Sequence, residues 1–198
     1  MNQTLELENE LEIFMTTAKA LELEASDIYK QYFATDASST VSALLLNSTP
    51  ATVSSKLTKA AVVSGITFVE QLNNFFANSA VSQADYHDTL QDLLYGNASL
   101  GSILTVSVES VGTRLQSLAG TCLTLFKKAK TLLDYYSDTE ISAAVGAIST
   151  TTVVFGATKT KSVYTSGITL VEQFKKMINN EAVTTGDYGA TLSKWISV

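Results

Sequence analysis

Apolar residues recur along residues 5 to 33 at alternating spacings of four and three: Leu7, Leu11, Phe14, Ala18, Leu21, Ala25, Ile28 and Tyr32. That period predicts one long amphipathic helix with a single buried seam. The alternation returns at Leu104, Val108, Val111, Leu115, Leu118, Cys122, Leu125, Ala129, Leu132 and Tyr136 and predicts a second long helix. A shorter helix is expected from about Pro50 to Ala77, with Thr49 as its cap, Pro50 at its first position and Leu57, Ala61, Ile66, Val69, Leu72 and Phe76 on its apolar face. A further one is expected from about Thr160 to Asn179.

The pattern is a tandem repeat. At an offset of 102 residues the chain pairs Ser64-Gly65-Ile66-Thr67 with Ser166-Gly167-Ile168-Thr169, Glu70-Gln71 with Glu172-Gln173, Asn78 with Asn180, and Asp85-Tyr86 with Asp187-Tyr188. The heptads of the two long helices do not superpose at this offset. The predicted architecture is all-α: two tandem helical-bundle units, residues 1–98 and 99–198, each a long helix followed by about three shorter ones. One stretch resists this reading. Thr150 to Phe155 is β-branched and strand-like in composition, whereas its counterpart in the first unit argues for helix or loop.

Local chemistry explains the most repeated polar residues. Val81-Ser82-Gln83-Ala84-Asp85-Tyr86 reads as a capping box, with Ser82 as cap, Asp85 reaching back to it, and Val81 and Tyr86 as the hydrophobic staple. Val183, Thr184, Asp187 and Tyr188 repeat the arrangement, and Ser137-Asp138-Thr139-Glu140 is a further box. No catalytic role is assigned to Asp85, Tyr86, Asp187 or Tyr188, because capping accounts for each of them.

Composition narrows the chemistry further. The net charge of −6 lacks the clustered Lys and Arg that phosphate-backbone binding needs, so no nucleic-acid partner is expected. Residues 1–98 carry net −8 and residues 99–198 net +2, so the units have opposite sign and can dock within a chain or between chains. One cysteine and one histidine exclude a disulfide framework and a Cys/His zinc site. Glu70 and Glu172 lack the Glu-x-x-His partner of a di-metal bundle, and no Gly-rich phosphate motif surrounds Gly65 or Gly167, which are read as points of close helix approach. Cys122 lies on the seam as a buried thiol, His87 is matched by Gly189 and read as a surface residue, and Lys127-Lys128-Ala129-Lys130 is read as a solvated face. No cofactor or metal is expected.

Two segments, 37–55 and 141–158, carry no charge but are loaded with Ser, Thr and Asn, which argues against membrane spanning and for burial against protein. Leu44, Leu45, Leu46, Val153, Val154 and Phe155 within them are the candidate intersubunit surface. The acidic start of the chain does not read as a signal peptide, and a non-secreted, cytoplasmic protein is expected. In being poor in charge, Cys, His and Pro, rich in Ser, Thr and Val, and internally repeated, the chain resembles virion structural proteins of tailed phages. That resemblance implies a place in a tail, neck or baseplate. The expected function is non-enzymatic: a structural or assembly protein that self-associates or binds protein partners through helix faces, the alternative being a membrane-active helical protein.

Overall fold

A computed structural model of the chain describes residues 3–33, 59–95, 106–135, 143, 152–154 and 157–197. Helix α1 spans Gln3–Phe33, α2 Lys59–Phe76, α3 Tyr86–Tyr95, α4 Val106–Tyr135, α5 Lys161–Ile178 and α6 Tyr188–Ile196. Among the described residues the fold is all-α but for one small ribbon. Strands β1 (Thr152–Val154) and β2 (Ala157–Lys159) pair antiparallel, with Thr152 opposite Lys159 and Val154 opposite Ala157. Here the β-branched composition of residues 152–154 prevailed, and the helix or loop expected from their counterpart did not form. The capping box at Ser137–Glu140 lies outside the described residues.

The heptad seam of α1 is buried from Leu7 to Ile28: Leu7, Leu11, Phe14, Ala18, Leu21, Ala25 and Ile28 are at most 1 % exposed, and the Tyr32 side chain lies outside the description. Full burial of a leucine-sized side chain contributes about 1.5–3 kcal/mol, so this stripe alone fixes which way α1 faces. Helix α4 buries Leu115, Leu118, Ala119, Cys122, Leu125, Ala129 and Leu132. These coincide with Leu11, Phe14, Met15, Ala18, Leu21, Ala25 and Ile28 at an offset of 104, not 102. The long helices are thus equivalent, with two fewer residues between helix and hairpin in the second half.

Helices α1 and α4 run antiparallel, since Glu10 of α1 meets Lys128 of α4 at 2.6 Å while Glu24 meets Arg114 at 2.9 Å. Around this pair the halves interlock. Helix α2 packs chiefly on α1 and α5 equally on α4 and α6, whereas α3 packs most extensively on α4 and α6 most extensively on α1. Each last helix therefore covers the long helix of the other half, and the buried side chains form one continuous core.

The repeated glycines make these crossings possible. A Cβ on Gly65 would stand 3.0 Å from Leu93 Cδ1, and one on Gly167 3.0 Å from both Trp195 Cζ3 and Met15 Cε. Leu93 and Trp195 are themselves equivalent at an offset of 102, so the same helix contact is built twice with different fillings. Helices α2 and α5 run unbroken through Gly65 and Gly167. Thr67 and Thr169 bond back to the carbonyls of Val63 and Thr165, so neither threonine opens a new helix.

Candidate functional site

Gln71/Gln173, Asn78/Asn180, Asp85/Asp187 and Tyr86/Tyr188, polar residues common to both halves, build one local device. Asn78 and Asn180, both at φ 57°, take the left-handed conformation that ends α2 and α5. Ser79 N–H then donates to the Asn74 carbonyl at 3.0 Å, and Glu181 N–H to that of Lys176 at 2.9 Å, the long-range bond of a Schellman ending. Seven residues before each left-handed asparagine lies a buried glutamine: Gln71 Oε1 accepts Ser82 N–H, and Gln173 Oε1 accepts Thr184 N–H, both at 2.7 Å. The Tyr86 hydroxyl donates to the Ser82 carbonyl at 2.5 Å and the Tyr188 hydroxyl to the Thr184 carbonyl at 2.6 Å.

This geometry moves the caps. Asp85 Oδ1 accepts Asp88 N–H at 3.0 Å and Asp187 Oδ1 accepts Ala190 N–H at 2.9 Å, so the aspartates are the N-caps and α3 and α6 begin at the tyrosines. Ser82 and Thr184 do not cap, contrary to the box expected from their spacing. A helix starting at Ser82 would need its carbonyl for the Tyr86 N–H, but that carbonyl takes the tyrosine hydroxyl and the N–H bonds to Ala84 instead. Val81 and Val183 are half-buried against the core. The tyrosine rings act as core residues: Tyr86 lies 5.2 Å from Phe68, and Tyr188 stacks on Phe75 at 4.5 Å.

Where the halves differ, a partly buried polar cluster appears on one side, with Glu12 at its exposed edge. Trp195 Nε1 donates to Glu12 Oε2 at 2.7 Å, and the Lys159 ammonium reaches the same oxygen at 3.2 Å while sitting 5.1 Å over the Trp195 ring. Tyr164 packs edge-on against Trp195 at 5.3 Å. Two atoms of the cluster, Glu8 Oε2 and Tyr164 Oη, are buried with no partner in hydrogen-bonding geometry. Burial first, and then the neighbouring Glu8 carboxylate, push the Tyr164 hydroxyl well above the ordinary phenol range.

The equivalent positions in the other half hold Gly112 for Glu8, Gln116 for Glu12, Val62 for Tyr164 and Leu93 for Trp195. The fold is thus satisfied there by an apolar filling, and the polar one is an addition. Sequence reading missed it because Glu8 and Glu12 are some 150 residues or more from Lys159, Tyr164 and Trp195; the available signal was the mismatch between repeats. As chemistry the cluster offers a paired ammonium, a carboxylate and a phenol.

Other candidates fall into plain structural places. Cys122 is fully buried, and burial pushes its thiol up, away from the reactive thiolate. His87 lies 5.6 Å from the Phe126 ring and is only part-exposed. A cleft of about 190 Å³ between α5 and α6 is lined by Val163, Ser166, Asp187, Ala190, Thr191 and Lys194, and its one carboxylate is committed to capping. Among the described residues no three His, Cys, Asp or Glu side chains gather as metal ligands, and no helix is long and apolar enough to cross a membrane. Of the candidate intersubunit residues, Leu44, Leu45, Leu46 and Phe155 lie outside the described residues, and for Val153 and Val154 the strand backbone alone is described. Comparison with family models, with curated proteins and with solved structures found no match.

Proposed function

We propose that the chain is a non-enzymatic structural protein that self-associates through the outer face of α1, and that its two halves, residues 1–98 and 99–198, arose by internal duplication. The observation that carries the functional reading is an apolar stripe on the solvent side of α1. Ile13 and Leu23 are 52 % and 59 % exposed, with exposed Thr16 and Ala20 between them, continuing the three-four-three spacing of a helix seam. The equivalent positions on α4 are Ser117, Gly120, Thr124 and Lys127, so the stripe is not a requirement of the fold.

The repeated polar residues support the non-enzymatic part, because Gln71/Gln173, Asn78/Asn180, Asp85/Asp187 and Tyr86/Tyr188 are all engaged in holding a turn. Duplication is supported by the coincidence of hydrogen bonds at an offset of 102 and of buried seams at 104. The resemblance in composition to tailed-phage virion proteins makes a particle the proposed setting.

Mass measurement in solution across a range of concentrations tests the proposal. Association is expected for the natural chain and should be lost in Ile13→Glu/Leu23→Glu. A monomer at every concentration, with no co-purifying partner, overturns it.

A further inference from the structure

We infer that the face joining α1 to α4 is a charge-coded recognition surface whose fitting partner is the opposite half of this same sequence, whether from its own chain or from a second copy. The argument starts from the antiparallel pair. At the offset that superposes the long helices, Glu10 corresponds to Arg114 and Glu24 to Lys128. The two observed ion pairs, Glu10 with Lys128 at 2.6 Å and Glu24 with Arg114 at 2.9 Å, therefore occupy one position and its two-fold mate. Asp27 adds a second carboxylate to Arg114 at 2.8 Å.

A two-fold antiparallel pair of first halves would set Glu10 against Glu24, twice. A pair of second halves would set Arg114 against Lys128, twice. Only the mixed pair places opposite charges at both positions, and like charges directly opposed penalise the wrong partner more than the right pairs stabilise the correct one. The net −8 and +2 of the halves are thus directed, at least in part, at one seam. The interlocked helices point the same way: α3 needs α4 and α6 needs α1, so a half lacking its complement leaves a long helix uncovered. This inference stands apart from the role of the outer face of α1.

The test uses the full chain with a protease site inserted between Gly96 and Thr105, folded first and cleaved afterwards. A tagged first half should retain one second half, and on mixing with an untagged cleaved preparation should take up second halves only. Glu10→Arg with Glu24→Lys should speed separation of the halves at least tenfold at low salt, and adding Arg114→Glu with Lys128→Glu should restore most of the retention, Asp27 alone being left without its basic partner. In the uncut chain the same reversal should lower the melting temperature by about 5 °C at low salt, less at high salt, with recovery in the four-fold swap. Halves that part on cleavage, first halves that capture first halves, or a reversal that leaves both retention and melting unchanged would each overturn the inference.

Discussion

The side-chain carbonyl of Gln173 accepts the backbone N–H of Thr184 at 2.7 Å, so a buried residue of α5 sets the path of the chain eleven residues later. Gln71 does the same for Ser82. Removing either amide leaves a part-buried N–H without its partner, which costs about 1–3 kcal/mol. Gln71→Ala and Gln173→Ala are each expected to lower stability by that amount, and Gln→Leu by no less although it keeps the volume. Urea denaturation measures both; a leucine variant as stable as the natural chain refutes the anchoring role.

The caps give a contrasting signature. Asp85→Ala and Asp187→Ala should each cost about 1 kcal/mol, whereas Asp→Asn should be close to neutral because asparagine caps as well as aspartate. Ser82→Ala and Thr184→Ala should have little effect, since the atoms engaged there are backbone N–H and carbonyl. Thermal melts of the six variants separate this arrangement from a cap at Ser82.

Gly189 is where α6 meets the other half. A Cβ there would stand 2.8 Å from the Phe76 backbone carbonyl and 2.8 Å from Glu22 Oε1, and the carbonyl cannot move aside. Gly189→Ala is expected to destabilise by about 2 kcal/mol despite the better helix propensity of alanine. His87→Gly at the matching position should cost little more than glycine's propensity penalty. Equal effects in the two variants would remove the distinction.

Alkaline pH should expose the buried phenols. Burial raises Tyr86, Tyr164 and Tyr188 above 10, Tyr164 furthest. The unfolded chain therefore ionises first: the stability these groups contribute is complete below pH 10 and is lost as pH rises above it. Tyr164→Phe should be as stable as the natural chain at pH 7, since it removes a buried hydroxyl without a partner, and should lose less between pH 10 and 11. Parallel slopes of stability against pH in the two proteins would rule this out.

Much of the architecture could be read from residue spacing, and its gaps have physical causes. Both long helices were visible in their seams, and even their equivalence was on the page: Leu7 to Tyr32 maps onto Val111 to Tyr136 at an offset of 104, hidden because the hairpins repeat at 102. Gln71/Gln173 and Asn78/Asn180 stood out as repeated, but an anchor acting across eleven residues and a single left-handed turn leave no periodic trace. The cap was placed three residues early because Ser-x-x-Asp satisfies a box locally, while a tertiary bond from Gln71 had already claimed the serine N–H. The Glu8, Glu12, Lys159, Tyr164 and Trp195 cluster depends on α6 crossing to α1, which neither repeat indicates alone.

That crossing also sets a timetable. Helix α1 is made early, yet the surface that receives Trp195 has no cover until α6 has been synthesised, more than 150 residues later. A contact so distant in sequence forms late and closes a long loop when it does. During synthesis the first half thus carries apolar surface that stays open to solvent until α6 arrives to cover it.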